Sequence, residues 1–144
     1  MKSSTKLFNL IGAGVSTLTA EFDTQGFNYA KIYVVTSVNT APATNNNSVV
    51  ESDTSGGSTN AITGLVQGTD YTLSTSTNNT SVPKIVWGIP LGGRKRYLKA
   101  TWTSSSATTH NAALICELSD AGDTILTRRA GTAATDAAGS VVNL

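Results

Sequence analysis

Charge is scarce in this chain. Only 13% of its residues are charged, about half the share an ordinary domain carries. Ten Lys and Arg against nine Asp and Glu leave a formal net charge of +1, so no overall field of either sign steers it toward nucleic acid or toward cationic partners. There is one cysteine, Cys116, which excludes an internal disulfide and a cysteine-cluster metal site. There is one histidine, His110, with no carboxylate close in sequence and no Gly-x-Ser-x-Gly elbow anywhere, so no locally encoded hydrolase triad is present. No apolar run approaches the length of a membrane-crossing helix. The opening Met-Lys-Ser-Ser-Thr-Lys-Leu-Phe-Asn-Leu lacks the apolar core of a secretion signal. The expectation is a chain made and folded in a reducing cytoplasm. No segment keeps helical spacing of apolar residues between caps for three turns, and Gly12-Ala13-Gly14 lacks the third glycine and following helix of a dinucleotide fingerprint.

What the chain does have is Thr, Ser and Asn, together roughly a third of its residues, against ordinary usage that is far lower. Threonine suits strands; Ser and Asn suit turns. Residues 94–103 are the clearest strand. Leu98, Ala100 and Trp102 recur with period two and face one way, with Tyr97, Lys99 and Thr101 on the other side. Residues 27–38 form the longest candidate, apolar on both faces, which places it in the middle of a sheet with Lys31 reaching out along its stem. Alternation also marks strands at 15–23, 48–53, 61–66, 84–89 and 111–118, with a short return at 124–128. Cys116 shares a face with Ala112, Leu114 and Leu118 and reads as a small buried hydrophobe. Turns fall at 23–26, 55–58 and 119–123, and residues 67–82 read as a loop with one weak strand. Seven or eight short antiparallel strands with this spacing predict an all-β fold, a single β-sandwich or jelly roll.

The polar residues offer little chemistry. Asp120 and Asp123 share one turn but do not supply the oxygens a calcium site needs. Glu51 and Asp53 stand two apart on one strand and read as charges that deter edge pairing. Arg94, Lys95, Arg96 and Lys99 hold four of the ten basic residues. Three cations beside Tyr97 invite a phosphate-and-stacking reading, but the rest of the chain supplies no basic stripe, so a protein contact is the better reading. Neither a metal nor a cofactor is expected.

Two stretches carry a resemblance. Val50-Glu51-Ser52-Asp53 followed by Ser55-Gly56-Gly57-Ser58 resembles the QESDDGSTW hairpin of small phage virion proteins. Gly93-Arg94-Lys95-Arg96-Tyr97-Leu98-Lys99-Ala100 resembles their later G-x-KRYVRA strand. The order of elements agrees over about residues 15–118, while Thr59 and Asn60 stand where that pattern has tryptophan. The chain thus resembles capsid decoration (cement) proteins of tailed phages. The resemblance implies a β-sandwich or jelly-roll head protein on the capsid exterior of a virion. It further implies a homotrimer bound to the major capsid protein, with no catalytic activity and no nucleic-acid or membrane partner.

The division expected from sequence is an N-terminal arm at 1–12, a β-sandwich domain at 13–128 and a C-terminal tail at 129–144. Apolar residues at both ends and the basic patch are the expected partner contacts: Leu7, Phe8, Leu10, Arg94, Lys95, Arg129, Val141, Val142 and Leu144. The alternative is a phage tail, receptor-binding or carbohydrate-binding module using Tyr71, Trp87 or Trp102 as a sugar platform. The alternation of their neighbours puts Trp87 and Trp102 in the core instead.

Overall fold

Period-two sequence becomes strand wherever one face can be buried. The computed structural model describes residues 5–36, 46–73, 85–104, 110–120 and 140–143, and these form nine strands and no helix. They are β1 (Thr5–Val15), β2 (Thr17–Asp23), β3 (Tyr29–Thr36), β4 (Ser48–Ser52), β5 (Asn60–Val66), β6 (Ile85–Pro90), β7 (Tyr97–Thr103), β8 (His110–Ser119) and β9 (Ser140–Asn143). In β2, Leu18, Ala20 and Phe22 are buried while Thr17, Thr19 and Glu21 are exposed. In β7, Leu98, Ala100 and Trp102 are buried with no exposed area at all. In β3, Ala30, Ile32, Val34 and Thr36 face inward and Lys31, Tyr33 and Val35 are half-buried on the outer side.

The strands build two sheets, in the orders β1-β8-β3-β6-β9 and β2-β7-β4-β5. β1 pairs with β8, β2 with β7, β3 with β6 and β4 with β5, all antiparallel. The first eight strands are therefore one long hairpin folded double, with the β4–β5 connection as its tip. That nesting, distributed over two facing sheets, is a jelly roll. β3 sits third of five, between β8 and β6, as its two apolar faces predict. The ninth strand differs from the rest because it pairs parallel to β6, Ser140 opposite Ile85 through Asn143 opposite Gly88.

One core lies between the sheets. Ile32, Val34, Ile85, Trp87, Ile89, Leu114, Cys116 and Leu118 of the five-stranded sheet meet Phe22, Val49, Ile62, Leu65, Leu98 and Trp102 of the other. Ile62 and Leu65 are both fully buried although three apart. A register shift between β4 and β5, Ser48 opposite Val66 but Val50 opposite Ala61, reconciles them. The bulge bends at Gly64, whose φ of +92° is a conformation favouring glycine. The Asp70 carboxylate then accepts the amides of Gly64 (2.8 Å) and Val66 (2.9 Å).

Both terminal expectations need correction. Residues 5–15, assigned from sequence mostly to an arm ending at 12, are an eleven-residue strand running from Thr5 opposite Ser119 to Val15 opposite His110. Leu7, Phe8 and Leu10 belong to this strand, opposite Glu117, Cys116 and Leu114. Pairing along β8 provides backbone partners that a solvated arm would have to find in water. Within the expected tail, residues 140–143 are β9, so Val141 and Val142 are sheet residues opposite Val86 and Trp87. Arg129, Leu144, Asp123 and the expected return at 124–128 lie outside the described residues.

Candidate functional site

The two stretches that carry the family resemblance meet at one corner of the four-stranded sheet. β4 pairs with β7, Glu51 opposite Leu98 and Ser52 opposite Tyr97. The β4–β5 hairpin therefore stands beside the turn leading into β7. That turn closes with the Arg94 amide on the Leu91 carbonyl at 3.0 Å, and Gly93 takes a φ of +75°. It delivers Arg94, Lys95 and Arg96 side by side into a group of carboxylates.

Each cation of the turn is engaged. The Asp23 carboxylate receives Arg96 through Nε (2.9 Å) and Nη2 (2.7 Å), a bidentate pair of the geometry guanidinium favours. The Thr24 amide and hydroxyl donate to the Arg96 carbonyl at 2.9 and 2.6 Å, and the guanidinium stands 5.0 Å from the Tyr97 ring centre. Lys95 Nζ lies 2.5 Å from the Asp53 carboxylate, and the Lys95 amide donates to Glu51 at 3.3 Å. Arg94 pairs with the other Glu51 oxygen at 3.8 Å. Beyond these, the hairpin tip bends across the end of β7 to reach β2: the Ser55 hydroxyl and Gly56 amide donate to Glu21 at 2.6 and 3.0 Å. These two donors, the hydroxyl first, hold the Glu21 carboxyl below its ordinary value.

The result is a clasp of four carboxylates and three cations that locks β2, the β4–β5 tip and the β6–β7 turn together. Glu51 and Asp53, expected from sequence as edge charges, are ion-pair partners, and β4 is an inner strand. Arg94 and Lys95, expected as partner contacts, form these ion pairs with Glu51 and Asp53. A phosphate approaching them would have to displace Glu51 and Asp53.

A second polar group sits under the start of β4. Trp87 Nε1 donates to the Tyr71 hydroxyl (3.1 Å), which donates to the Asn47 carbonyl (2.6 Å). The Asn47 amide donates to Gln67 Oε1 (2.9 Å), and its side-chain oxygen accepts the Thr103 amide (2.8 Å). Burial pushes the Tyr71 hydroxyl up to about 12. Trp87 and Trp102 are wholly buried, and Tyr71 packs on the core with its hydroxyl occupied. The aromatic sugar platform considered from sequence is therefore not exposed. Among the described residues no group of three or more His, Cys, Asp or Glu could hold a metal ion, and no helix is long and apolar enough to cross a membrane.

The two outer faces differ in chemistry. On the five-stranded sheet, Tyr33, Val35, Ala113 and Ile115 are half-buried, and the Tyr33 hydroxyl donates to Glu117 at 3.1 Å. On the four-stranded sheet, hydroxyls line up across β2 and β7, Thr17 with Thr103 at 3.4 Å and Thr19 with Thr101 at 3.2 Å. The faces are sparing in charge, as the composition requires.

No protein-family model matches the chain, and no curated protein does. Among solved structures, the fold is similar to that of the SPBc2 prophage-derived protein YomS. The TM-score is 0.52 at 18% sequence identity, covering 83% of this chain and 96% of YomS. At that identity the likeness is one of fold: the jelly-roll core of this chain spans nearly the whole of a prophage-derived protein.

Proposed function

We propose that this chain is a non-enzymatic structural protein of a tailed-phage particle, a capsid decoration protein that binds the assembled major capsid protein lattice from outside as a homotrimer. The observation that carries the reading is the clasp. The two phage-like stretches, some forty residues apart in sequence, form one structural unit through Lys95–Asp53 and Arg94–Glu51, as parts of a single inherited motif would. Similarity in fold to a prophage-derived protein supports the same class. Low charge, hydroxyl- and apolar-lined sheet faces and internally paired cations suit a protein that spends its working life against other protein. Its mechanism is avidity: each subunit adds modest contacts, and three linked subunits engage several capsid subunits together.

The test is co-sedimentation of purified protein with capsids assembled from the major capsid protein encoded in the same phage genome. Saturable binding at a fixed ratio to capsid subunits is expected. Protein left in the supernatant at all ratios would sink the proposal.

A further inference from the structure

Among the described residues, β2 and β5 are the edges of the four-stranded sheet. The β2 edge carries Glu21 and Asp23, and the hairpin tip is fastened to Glu21. The β5 edge has neither device. From Thr54 to Thr69 the chain holds no charged residue and no proline, the two side-chain types that most simply deter an added strand. Asn60, Ala61 and Thr63 of β5 are exposed. Such an edge is a template for pairing with another copy of itself.

The first charge after that stretch is Asp70, and its carboxylate is turned back onto the strand. In an edge strand, alternate backbone groups point away from the sheet and meet no partner strand. Val66 stands opposite Ser48 of β4, yet its amide donates to Asp70 Oδ2 at 2.9 Å. Its carbonyl accepts the Thr69 and Asp70 amides at 3.2 and 2.8 Å. Both backbone groups of Val66 thus serve the turn at 67–71. Two residues earlier, the Gly64 amide donates to the same Asp70 oxygen at 2.8 Å. A spacing of two is that of neighbouring amides along one edge of a strand. The turn is itself anchored: the Gly68 amide donates to the Tyr71 carbonyl at 2.8 Å, while the Gln67 side chain and the Tyr71 hydroxyl both bond the Asn47 backbone. Asp70 is exposed, so the carboxylate is held at the surface by these donors and not by burial.

We propose that Asp70 guards the β5 edge: its carboxylate occupies the amides of Gly64 and Val66 that an added strand needs, and so blocks pairing of β5 with β5 of a second copy. Two such edges meet antiparallel about a two-fold axis, because an antiparallel ladder is the same read from either strand. The guard works through hydrogen bonding, since both amides converge on one oxygen. It is independent of the capsid reading and is tested without capsids.

The test compares full-length variants by sedimentation velocity over a range of concentrations. Asp70→Ala withdraws the acceptor, and is expected to reach about twice the mass of the unsubstituted chain as concentration rises. Asp70→Asn keeps an oxygen for the two amides and removes only the charge, and is expected to sediment with the unsubstituted chain. Adding Ala61→Lys to Asp70→Ala places a charge at an exposed position of β5, and is expected to return the mass to its starting value. An Asp70→Ala protein that melts earlier but keeps the unsubstituted mass at every concentration overturns the proposal, since Asp70 would then only brace the bulge. Association of Asp70→Asn equal to that of Asp70→Ala overturns it too, as does association that Ala61→Lys leaves in place. Should Asp70→Ala fail to fold, Asp70→Ser, a turn-forming residue without the reach of the carboxylate, replaces it with the same doubling expected and the same result overturning the proposal.

Discussion

Trp102 and Cys116 show what burial does to single side chains here. Trp102, on the inward face of β7, has no exposed area, and removing a buried tryptophan typically costs about 3–5 kcal/mol through lost transfer energy and the cavity left behind. Trp102→Ala is expected to lower the unfolding free energy by about that amount in urea titration. A loss below about 1 kcal/mol would mean the site is not core. Burial, and secondarily the Glu117 charge, pushes the Cys116 thiol up to about 12, well above the ordinary value of about 8.5. Tyr71 is raised likewise, by burial first. A folded-state value above the unfolded one means stability is complete below the unfolded value and is lost as pH rises toward the folded one. Loss of stability is therefore expected from about pH 9 to about 12. At pH 8 a thiol reagent should leave Cys116 untouched in the native protein and modify it fully in urea; prompt reaction without denaturant would contradict the buried assignment.

At the level of elements, the clasp has an acid limit. Glu21 is exposed, and its carboxyl is lowered by the Ser55 and Gly56 donors, with Lys99 a lesser influence. The depressed folded value means the contact contributes above the unfolded value of about 4.3 and is lost as pH falls through the folded one. The Gly56 amide resonance is expected to titrate in acid with Glu21's depressed midpoint and to stop doing so in Glu21→Gln. A flat Gly56 shift through the acid range would show that the tip is not held by Glu21. Much at this scale was legible in the sequence. The alternation through Trp102 marked β7 and its inward face, the two apolar faces of residues 27–38 marked a central strand, and Cys116 took the face expected. β1 was obscured because its apolar residues come as neighbours, Leu7-Phe8 and Leu10-Ile11, so period two is hidden; its pairing with β8 is set by tertiary contact. β9 is four residues in a Gly/Ala background, too short to signal. The strand expected at 61–66 did not signal the bulge at Gly64 or its capping by Asp70. The partners of Arg94, Lys95 and Arg96 lie 42 to 73 residues away along the chain, and charge pairing over that distance leaves no local pattern to read.

For the whole molecule, residues 140–143 are a structural cover for the β6 edge. Removing residues 129–144 takes β9 from the β6 edge. The two sheets keep the core residues that join them, so far-ultraviolet circular dichroism of a folded β protein is expected to persist. The uncovered apolar edge should raise light scattering on concentration and lower the thermal midpoint. A truncated protein as soluble and as heat-stable as the full chain would show that β9 adds nothing to β6.

The nested pairing also sets a timetable for synthesis. The tip strands β4 and β5 leave the ribosome close together, then β6 arrives for β3, β7 for β2, and last β8 for β1. Thr5 waits for Ser119, at roughly 5–20 residues per second a delay on the order of ten seconds. Through that interval Leu7, Phe8, Leu10 and Ile11 are in the nascent chain without the strand they will pair with. Contacts this distant in sequence also make closure of the roll slow once the chain is free, milliseconds to seconds by the usual trend for such β topologies. β1 is the last of the eight nested strands to be placed, so a cell producing many copies at once must keep the apolar residues of β1 apart until β8 has been made.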